Sequence, residues 1–218
     1  MLLTVVDYGV GNLRSIAKSI EKANSENNLN YSIKVSSNVS DVKKSDKIIL
    51  PGQGSFKACK FGIDNINGLQ DELNESVLVK KKPIYGICAG MQLFATTGYE
   101  EEKTAGLNWI PGEVIKLDLG ISKLKIPHMG WNELKVENSS SVFKNLINKN
   151  HAYFIHSYEF IPEDKKNVSI TTNYGKDVMA AVSSGNIYGS QFHPEKSQNT
   201  GIKILTNFLN LWILWLEN

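Results

Sequence analysis

The first half of the chain alternates between short apolar runs, which stop at glycine or proline, and helical patterns. This alternation constrains the possible folds more than any other feature of the sequence. Leu2–Asp7 is rich in β-branched residues and is followed by Gly9 and Gly11, a pattern typical of a buried parallel strand. Further strands are predicted at Tyr31–Val35, Lys47–Leu50 and Pro83–Ile87, and helices from about Asn12, over Ile66–Val79 and starting within Met91–Thr96. Strands and helices in this order predict a mostly parallel sheet covered on both faces.

The second half of the chain has a different pattern of short, closely spaced strands. They are predicted at Val114–Leu117, Tyr153–Tyr158, Val168–Asn173, Met179–Val182 and Ile187–Phe192. This spacing indicates a mixed or antiparallel extension of the sheet, followed by a last helix from about Thr200 to Leu216. The fold class is therefore α/β, and residues 1–218 are predicted to form one domain.

Composition excludes several classes of function. A net charge of +2 over 218 residues gives no reason to expect a nucleic-acid partner. Phe208–Leu216 is apolar but shorter than the roughly 20 residues that span a bilayer, so no membrane partner is expected. The first residues lack the pattern of a secretory signal, which predicts a cytoplasmic, reducing location. Cys59 and Cys88 lack metal-ligand spacing, so neither a metal site nor a disulfide is expected.

A candidate nucleophile lies in Gly86–Gly90, whose sequence GICAG has the G-x-C-x-G pattern of a strand-to-helix elbow. The elbow strains the backbone at Cys88, and only small neighbours such as Ala89 fit beside it. The N-terminus of the following helix favours the thiolate. The alternative is a buried cysteine at the end of a strand, and Cys59, which lies outside any such turn, is interpreted in that way.

A candidate base follows the last predicted strand, in QFHPEK at 191–196. His193 and Glu195 are separated by Pro194, which stiffens the turn, and residues two apart in an extended segment point to the same side. A carboxylate beside an imidazole fixes its tautomer and stabilises the imidazolium that forms when it takes a thiol proton. The other histidines, His128, His151 and His156, lack such a carboxylate and are expected to have structural or interface roles.

A third loop is a candidate oxyanion site. LPGQG at 50–54 ends a strand with two glycines, whose backbone freedom lets N–H groups point at a developing oxyanion. Ala89 N–H would be one donor, and the peptide Gly52–Gln53 or Gln53–Gly54 the other. A simple turn at the end of a strand is the alternative.

Together these three motifs resemble the class I glutamine amidotransferases of the Cys-His-Glu type. Three more stretches, DYGVGNL at 7–13, PHMGWN at 127–132 and YFIHSY at 153–158, resemble the family of glutaminase subunits of imidazole glycerol phosphate synthases. The resemblance runs from Asp7 to about Leu209. The chain departs from the family pattern at two positions. Gln53 stands where a small apolar residue is common, and Ala89 stands where leucine is frequent.

The resemblance implies roles for the matching positions. Cys88 would attack the side-chain amide of glutamine to form a glutamyl thioester, and His193, held by Glu195, would protonate the leaving ammonia and activate water. The implied substrate-binding and oxyanion residues are Gly52, Gln53, Gly54, Ala89, Gln92, Glu100, His156, Ser157 and Tyr158. Glu100 is a candidate for binding the substrate ammonium group, with a solvated acidic loop over Glu100–Glu102 as the alternative. No cofactor is implied.

The resemblance also implies a partner, a (β/α)₈-barrel cyclase subunit that receives the ammonia. Asn12, Met129, Trp131, Tyr153 and Lys196 fall on motifs of the partner-facing surface. An exposed Trp131 would suit an interface anchor, and a core tryptophan is the alternative. In this family the nucleotide substrate of the partner stimulates glutamine hydrolysis, which a reoriented oxyanion peptide would explain.

Three other readings remain open. A related subunit could feed ammonia to a different synthase, for example one that aminates a sugar. A stand-alone cysteine hydrolase on a similar sheet would be active without a partner. A non-catalytic interaction protein would keep the fold alone, but Cys88, His193 and Glu195 are all present.

Overall fold

An eight-stranded mixed sheet forms the centre of the molecule. The computed structural model describes residues 1–138, 140–147 and 150–211. Its strands are β1 (Leu2–Val6), β2 (Ser32–Ser36), β3 (Lys47–Leu50), β4 (Ile84–Ile87), β5 (Thr97–Gly98), β6 (Thr104–Ala105), β7 (Gly112–Lys116), β8 (His128–Glu133), β9 (Lys135–Val136), β10 (His151–His156), β11 (Tyr158–Pro162), β12 (Val168–Asn173), β13 (Asp177–Ser184) and β14 (Ile187–Ser190). The central sheet has the order β2-β1-β3-β4-β14-β13-β12-β9.

Helices cover both faces of this sheet. They are α1 (Leu13–Glu26), α2 (Val39–Lys44), α3 (Phe56–Asp64), α4 (Leu69–Asn74), α5 (Ala89–Gln92) and α6 (Gln198–Leu209), with a π-helical turn at Glu75–Val79 and 3₁₀ turns at Lys165–Asn167 and Pro194–Lys196. One apolar core lies between the sheet and helices α1 and α6, and the other between the sheet and helices α3 and α4. Both faces of the central strands are therefore buried, as their continuous apolar runs predict.

Strand pairing confirms the predicted fold class. Strands β2, β1, β3, β4 and β14 pair in parallel, whereas β13, β12 and β9 add an antiparallel extension. A second sheet has the order β11-β7-β5-β6, and β8 pairs with β10 as a separate antiparallel ribbon. The ribbon aligns Trp131 with Tyr153 and Met129 with Ile155, so these four side chains share one face.

Several element boundaries differ from the predictions. Helix α5 ends at Gln92 instead of continuing through Thr96, because the N–H of Thr96 donates to Gly112 O at 2.9 Å instead of to Gln92 O. The carbonyls of residues 93–95 accept from the segment 107–110, so the helix cannot continue beyond Thr96 either. The strand predicted at Tyr153–Tyr158 is two strands of different sheets, divided at Ser157. The helix predicted over Ile66–Val79 begins at Leu69, after Gly68 with a φ of 77°.

Two short helices, α2 and α3, were not predicted because neither repeats an apolar face for long. They begin at side-chain caps, where Asn38 accepts from Ser40 N–H and Ser55 from Ala58 N–H. The last helix ends at Leu209, and the part of the predicted helix beyond Leu211 lies outside the described residues. Across the described ranges, no helix combines the length and apolar character that crossing a membrane requires.

Candidate active site

Three loops meet at the carboxyl edge of the central sheet, because β3, β4 and β14 are adjacent and parallel. These strands end at Leu50, Ile87 and Ser190, so the glycine loop, the cysteine elbow and the histidine motif follow side by side. The N–H of Cys88 donates to Ser190 O at 2.8 Å, which fixes the elbow against the last strand. Crevices at this edge are where open α/β sheets bind ligands.

The elbow has the strained backbone that the sequence predicts. Cys88 has φ 54° and ψ −116°, a conformation that L-residues rarely adopt. Small neighbours are needed because a Cβ on Gly86 would lie 2.7 Å from the Cα of Met91, and a Cβ on Gly90 would lie 2.1 Å from Leu50 O. Cys88 is 8% exposed and lines the wall of a cavity.

His193 lies between Cys88 and Glu195. Its Nδ1 is 2.8 Å from Glu195 Oε1, and the ring lies close enough to the Cys88 side chain to interact with it. Burial by itself would lower the pKa of His193, but the contacts with Cys88 and Glu195 outweigh it and raise that pKa to about 10. The imidazole is therefore set to accept and hold the thiol proton. The three residues predicted to form a triad therefore lie side by side, in the order Cys88, His193 and Glu195.

The glycine loop packs directly on the elbow. A Cβ on Gly52 would lie 1.9 Å from Gly90 N, so only glycine allows the two backbones to approach this closely. Ala89 N–H, at the first position of α5, has no acceptor within the helix and is available to a ligand. The loop carbonyls are held from behind, since Tyr8 Oη donates to Pro51 O and Cys59 Sγ lies 4.0 Å from Gln53 O.

A cavity of about 210 Å³ opens above the triad. It is small beside the pockets that take drug-sized ligands, and suits a small metabolite. The predicted binding residues that line it are Gln53, Gly54, Ala89, Gln92, Glu100, His156, Ser157 and Tyr158. Cys88, His193, Lys196 and Ile155, the last of which was not predicted, complete the lining. Gly52, which was also predicted to bind, does not line the cavity and packs against Gly90.

Gln92 and Glu100 have partners within the protein. The Nε2 of Gln92 donates to Tyr158 O at 3.1 Å and to Gln191 Oε1 at 2.9 Å. Glu100 is half-buried and its Oε2 accepts from Phe56 N–H at 2.8 Å, and burial raises its pKa. A fully solvated loop is therefore the wrong description of Glu100, although Glu101 and Glu102 are exposed.

The predicted partner-facing residues lie on and beside the ribbon. Met129 and Trp131 are 57% and 47% exposed, so the core alternative for the tryptophan is wrong. Lys196 Nζ lies 5.6 Å from the centroid of the Tyr153 ring, and Tyr153 packs edge-on against Trp131 at 6.0 Å. Asn12 is exposed and caps α1, which packs on the turn that contains Lys196.

The sequence interpretation missed two residues that the structure brings to this site. Gln191 is fully buried and its Nε2 lies 3.6 Å from Cys88 Sγ. Tyr8 is buried and holds the glycine loop. Gln191 is the first residue of QFHPEK at 191–196, and Tyr8 is the aromatic residue of DYGVGNL at 7–13. Their places in these two motifs were the only signals in the sequence. Among the described residues, no group of three or more His, Cys, Asp and Glu is arranged to hold a metal ion.

Comparison with known proteins identifies the family of this chain. The family model described as glutamine amidotransferase class-I matches residues 4–212, and the chain belongs to this family. Curated relatives from Pelagibacter ubique and Brucella suis are both named imidazole glycerol phosphate synthase subunit HisH. The first is 48% identical over 211 residues, covering 97% of this chain and 100% of the relative. The second is 41% identical over 212 residues, covering 96% and 98%.

Solved structures agree on the fold. One described as a crystal structure of glutamine amidotransferase has a TM-score of 0.69 at 18% identity and covers 94% of this chain and 97% of that one. PurLQS from Thermotoga maritima has a TM-score of 0.67 at 21% identity and covers 96% and 97%. These identities support the shared fold alone, which is the predicted class I glutamine amidotransferase fold.

Proposed function

We propose that this chain, as one domain over residues 1–218, is the glutaminase subunit of an imidazole glycerol phosphate synthase. It hydrolyses L-glutamine to L-glutamate and ammonia and passes the ammonia to a cyclase subunit. The cyclase would form imidazole glycerol phosphate and the aminoimidazole carboxamide ribonucleotide of histidine biosynthesis, so lyase activity belongs to the assembled synthase. The row Cys88, His193 and Glu195 beneath one cavity is the observation that carries the proposal.

The geometry supports a two-step hydrolysis. Cys88 gives its proton to His193, and the thiolate attacks the amide carbon of glutamine. The carbonyl oxygen becomes an oxyanion within reach of Ala89 N–H and of a peptide N–H at Gln53. His193 then returns its proton to the leaving nitrogen, which departs as ammonia and leaves a glutamyl thioester.

The second step consumes the thioester. His193 removes a proton from water, the hydroxide attacks the thioester carbon, and the C–S bond breaks to give glutamate. Glu195 holds the imidazole through Nδ1 in both steps and stabilises its positive charge. Gln92, Glu100 and the backbone of Ser157 and Tyr158 would bind the substrate, since all of them line the cavity.

The ribbon supports a protein partner next to this cavity. Met129, Trp131 and Ile155 expose apolar surface on one face, and Ile155 and Lys196 also line the cavity. An aromatic and apolar face with a nearby cation is typical of the central part of an interface. We propose that a (β/α)₈-barrel cyclase covers this face, and that both subunits act in the cytoplasm.

The test is to mix the chain with a candidate cyclase and measure glutamate release with and without the cyclase's nucleotide substrate. The proposal expects slow release by the chain alone and stimulation of about 10²-fold or more in the complex with nucleotide, since restoring one oxyanion donor has this effect. Full activity without a partner would indicate a stand-alone hydrolase. Stimulation only by another synthase would indicate the related subunit that feeds a different reaction.

A further inference from the structure

Two buried amides lie behind the sulfur of Cys88. Gln191 is 0% exposed and places its Nε2 3.6 Å from Cys88 Sγ, while its Oε1 accepts from Gln92 Nε2 at 2.9 Å. Gln92 is 4% exposed, so both side chains are nearly removed from water. A buried amide must satisfy its donors within the protein, and here one donor of Gln191 faces the nucleophile.

The direction of these hydrogen bonds is set by a backbone carbonyl. Tyr158 O can only accept, so the end of Gln92 that contacts it at 3.1 Å must be its amino group. The second hydrogen of that amino group then requires the oxygen of Gln191 opposite it. The amino group of Gln191 is consequently the end that faces Cys88.

The carbonyl oxygen of Tyr158 also accepts a hydrogen bond from one of two paired histidines. His156 Nδ1 donates to that carbonyl at 2.9 Å, which leaves its Nε2 to accept from His128 Nδ1 at 3.0 Å. His128 Nε2 in turn accepts from Asn132 Nδ2 at 3.3 Å. Burial lowers the pKa of both histidines to about 4, so both are neutral near pH 7 and each keeps one defined tautomer.

We infer that Gln191 is a further functional residue of this site, whose amide N–H donates to the sulfur of Cys88 in its thiolate form. Gln92 is a positioning residue that holds Gln191 in this orientation. When Cys88 passes its proton to His193, negative charge develops on a sulfur that water barely reaches, and the Gln191 N–H stabilises it. The catalytic meaning of this donor rests on the proposed function, but the hydrogen bond itself does not.

The experiment is the pH dependence of Cys88 alkylation by iodoacetamide, which reacts with the thiolate. A Cys59→Ala background leaves Cys88 as the single cysteine of the chain. Gln191→Met keeps the size and removes the donor. We expect the midpoint of the alkylation profile to rise by about one pH unit, the effect of losing one hydrogen bond to a charged group.

Further variants separate this role from a structural one. Gln191→Glu, which keeps the size, should raise the midpoint by at least as much and serves if Gln191→Met does not fold. Gln92→Met should give a smaller rise and add nothing in the Gln191→Met background. Asn207→Leu is the matched control, because this buried amide donates to Val142 O and Lys144 O instead of to the site and should change only thermal stability.

An unchanged midpoint in folded Gln191→Met and Gln191→Glu would overturn the inference, as would an equal rise in Asn207→Leu. The assay needs neither glutamine nor a partner. A shifted midpoint in a chain that never releases glutamate would therefore refute the proposed function and leave this inference standing.

Discussion

The backbone N–H of His193 donates to the carbonyl of Tyr153 at 3.0 Å. This bond joins the proposed base to the ribbon that carries the proposed partner surface. A second connection runs through Ser197, whose hydroxyl donates to His193 O at 2.7 Å and accepts from Tyr153 N–H at 3.0 Å. If partner binding moves the ribbon, these two connections, one direct and one through Ser197, would shift the backbone of His193 and with it the imidazole.

Replacing Ser197 with alanine tests this connection. The hydroxyl is buried, so its loss leaves two backbone groups unsatisfied and should lower the free energy of unfolding by about 1–3 kcal/mol. Partner-stimulated glutamate release should fall more than the unstimulated rate. Ser169→Ala is the control, because Ser169 is equally buried and pairs with Ser183 away from the site. An equal effect of both variants on stimulation would contradict the connection.

Gly52→Ala should disrupt the site through a backbone clash. The new methyl group would lie 1.9 Å from Gly90 N, so the glycine loop must separate from the elbow, at a cost of about 1–3 kcal/mol or more in stability. Glutamate release by the complex should fall by at least about 10²-fold if the loop supplies one oxyanion donor, as proposed. Gly185→Asn serves as control, because Gly185 has φ 58° and open space around its Cα. Wild-type activity of Gly52→Ala would contradict the assignment.

The buried histidine pair predicts a pH dependence of stability. His128 and His156 have pKa values of about 4 in the folded chain, below the ordinary value of 6.5. Between these values the unfolded chain binds more protons, so the free energy of unfolding falls as pH falls from about 6.5 to 4. Because the two rings contact each other, their contributions do not simply add, and the loss for the pair is on the order of 3 kcal/mol. Urea unfolding of wild type and His128→Gln at pH 7 and 4.5 should give a smaller loss in the variant, and equal losses would refute the prediction.

Trp131→Ala should weaken binding to the cyclase. An aromatic residue at the centre of an interface contributes about 2 kcal/mol or more, so the dissociation constant should rise by about 30-fold. Phe61→Ala is the control, because Phe61 is 64% exposed but lies on α3, outside the ribbon. Calorimetric titration of both variants gives the comparison. If the two variants bind alike, the ribbon is not the interface.

The sequence predicted the fold, and it indicated Cys88, His193 and Glu195 as a candidate triad, because both inferences depend on local patterns. The continuous apolar run of β3 and the glycines around Cys88 each have one physical explanation, and the structure agrees with it. The motif QFHPEK needed one further fact, that β4 and β14 are neighbours, before Cys88 and His193 could be placed together. The family resemblance implied that the two residues act together, but only the structure gives this strand order.

Contacts between distant side chains could not be predicted in this way. Lys47 begins a buried strand, and its Nζ donates to the carbonyls of Phe208, Leu209 and Leu211 at 2.6–2.8 Å, at the end of α6. Nothing near Lys47 in the sequence indicates these acceptors. The same holds for Gln191, whose orientation depends on Tyr158 O, which belongs to a different sheet.

The most direct test of the account is to trap the glutamyl thioester. The chain in complex with the cyclase is incubated with glutamine, quenched in acid and digested, and the peptides are analysed by mass spectrometry. We expect a glutamyl adduct on the peptide that contains Cys88, none on the peptide that contains Cys59, and loss of the adduct together with glutamate release in Cys88→Ala. Continued glutamate release by Cys88→Ala, or an adduct confined to another residue, would contradict the account.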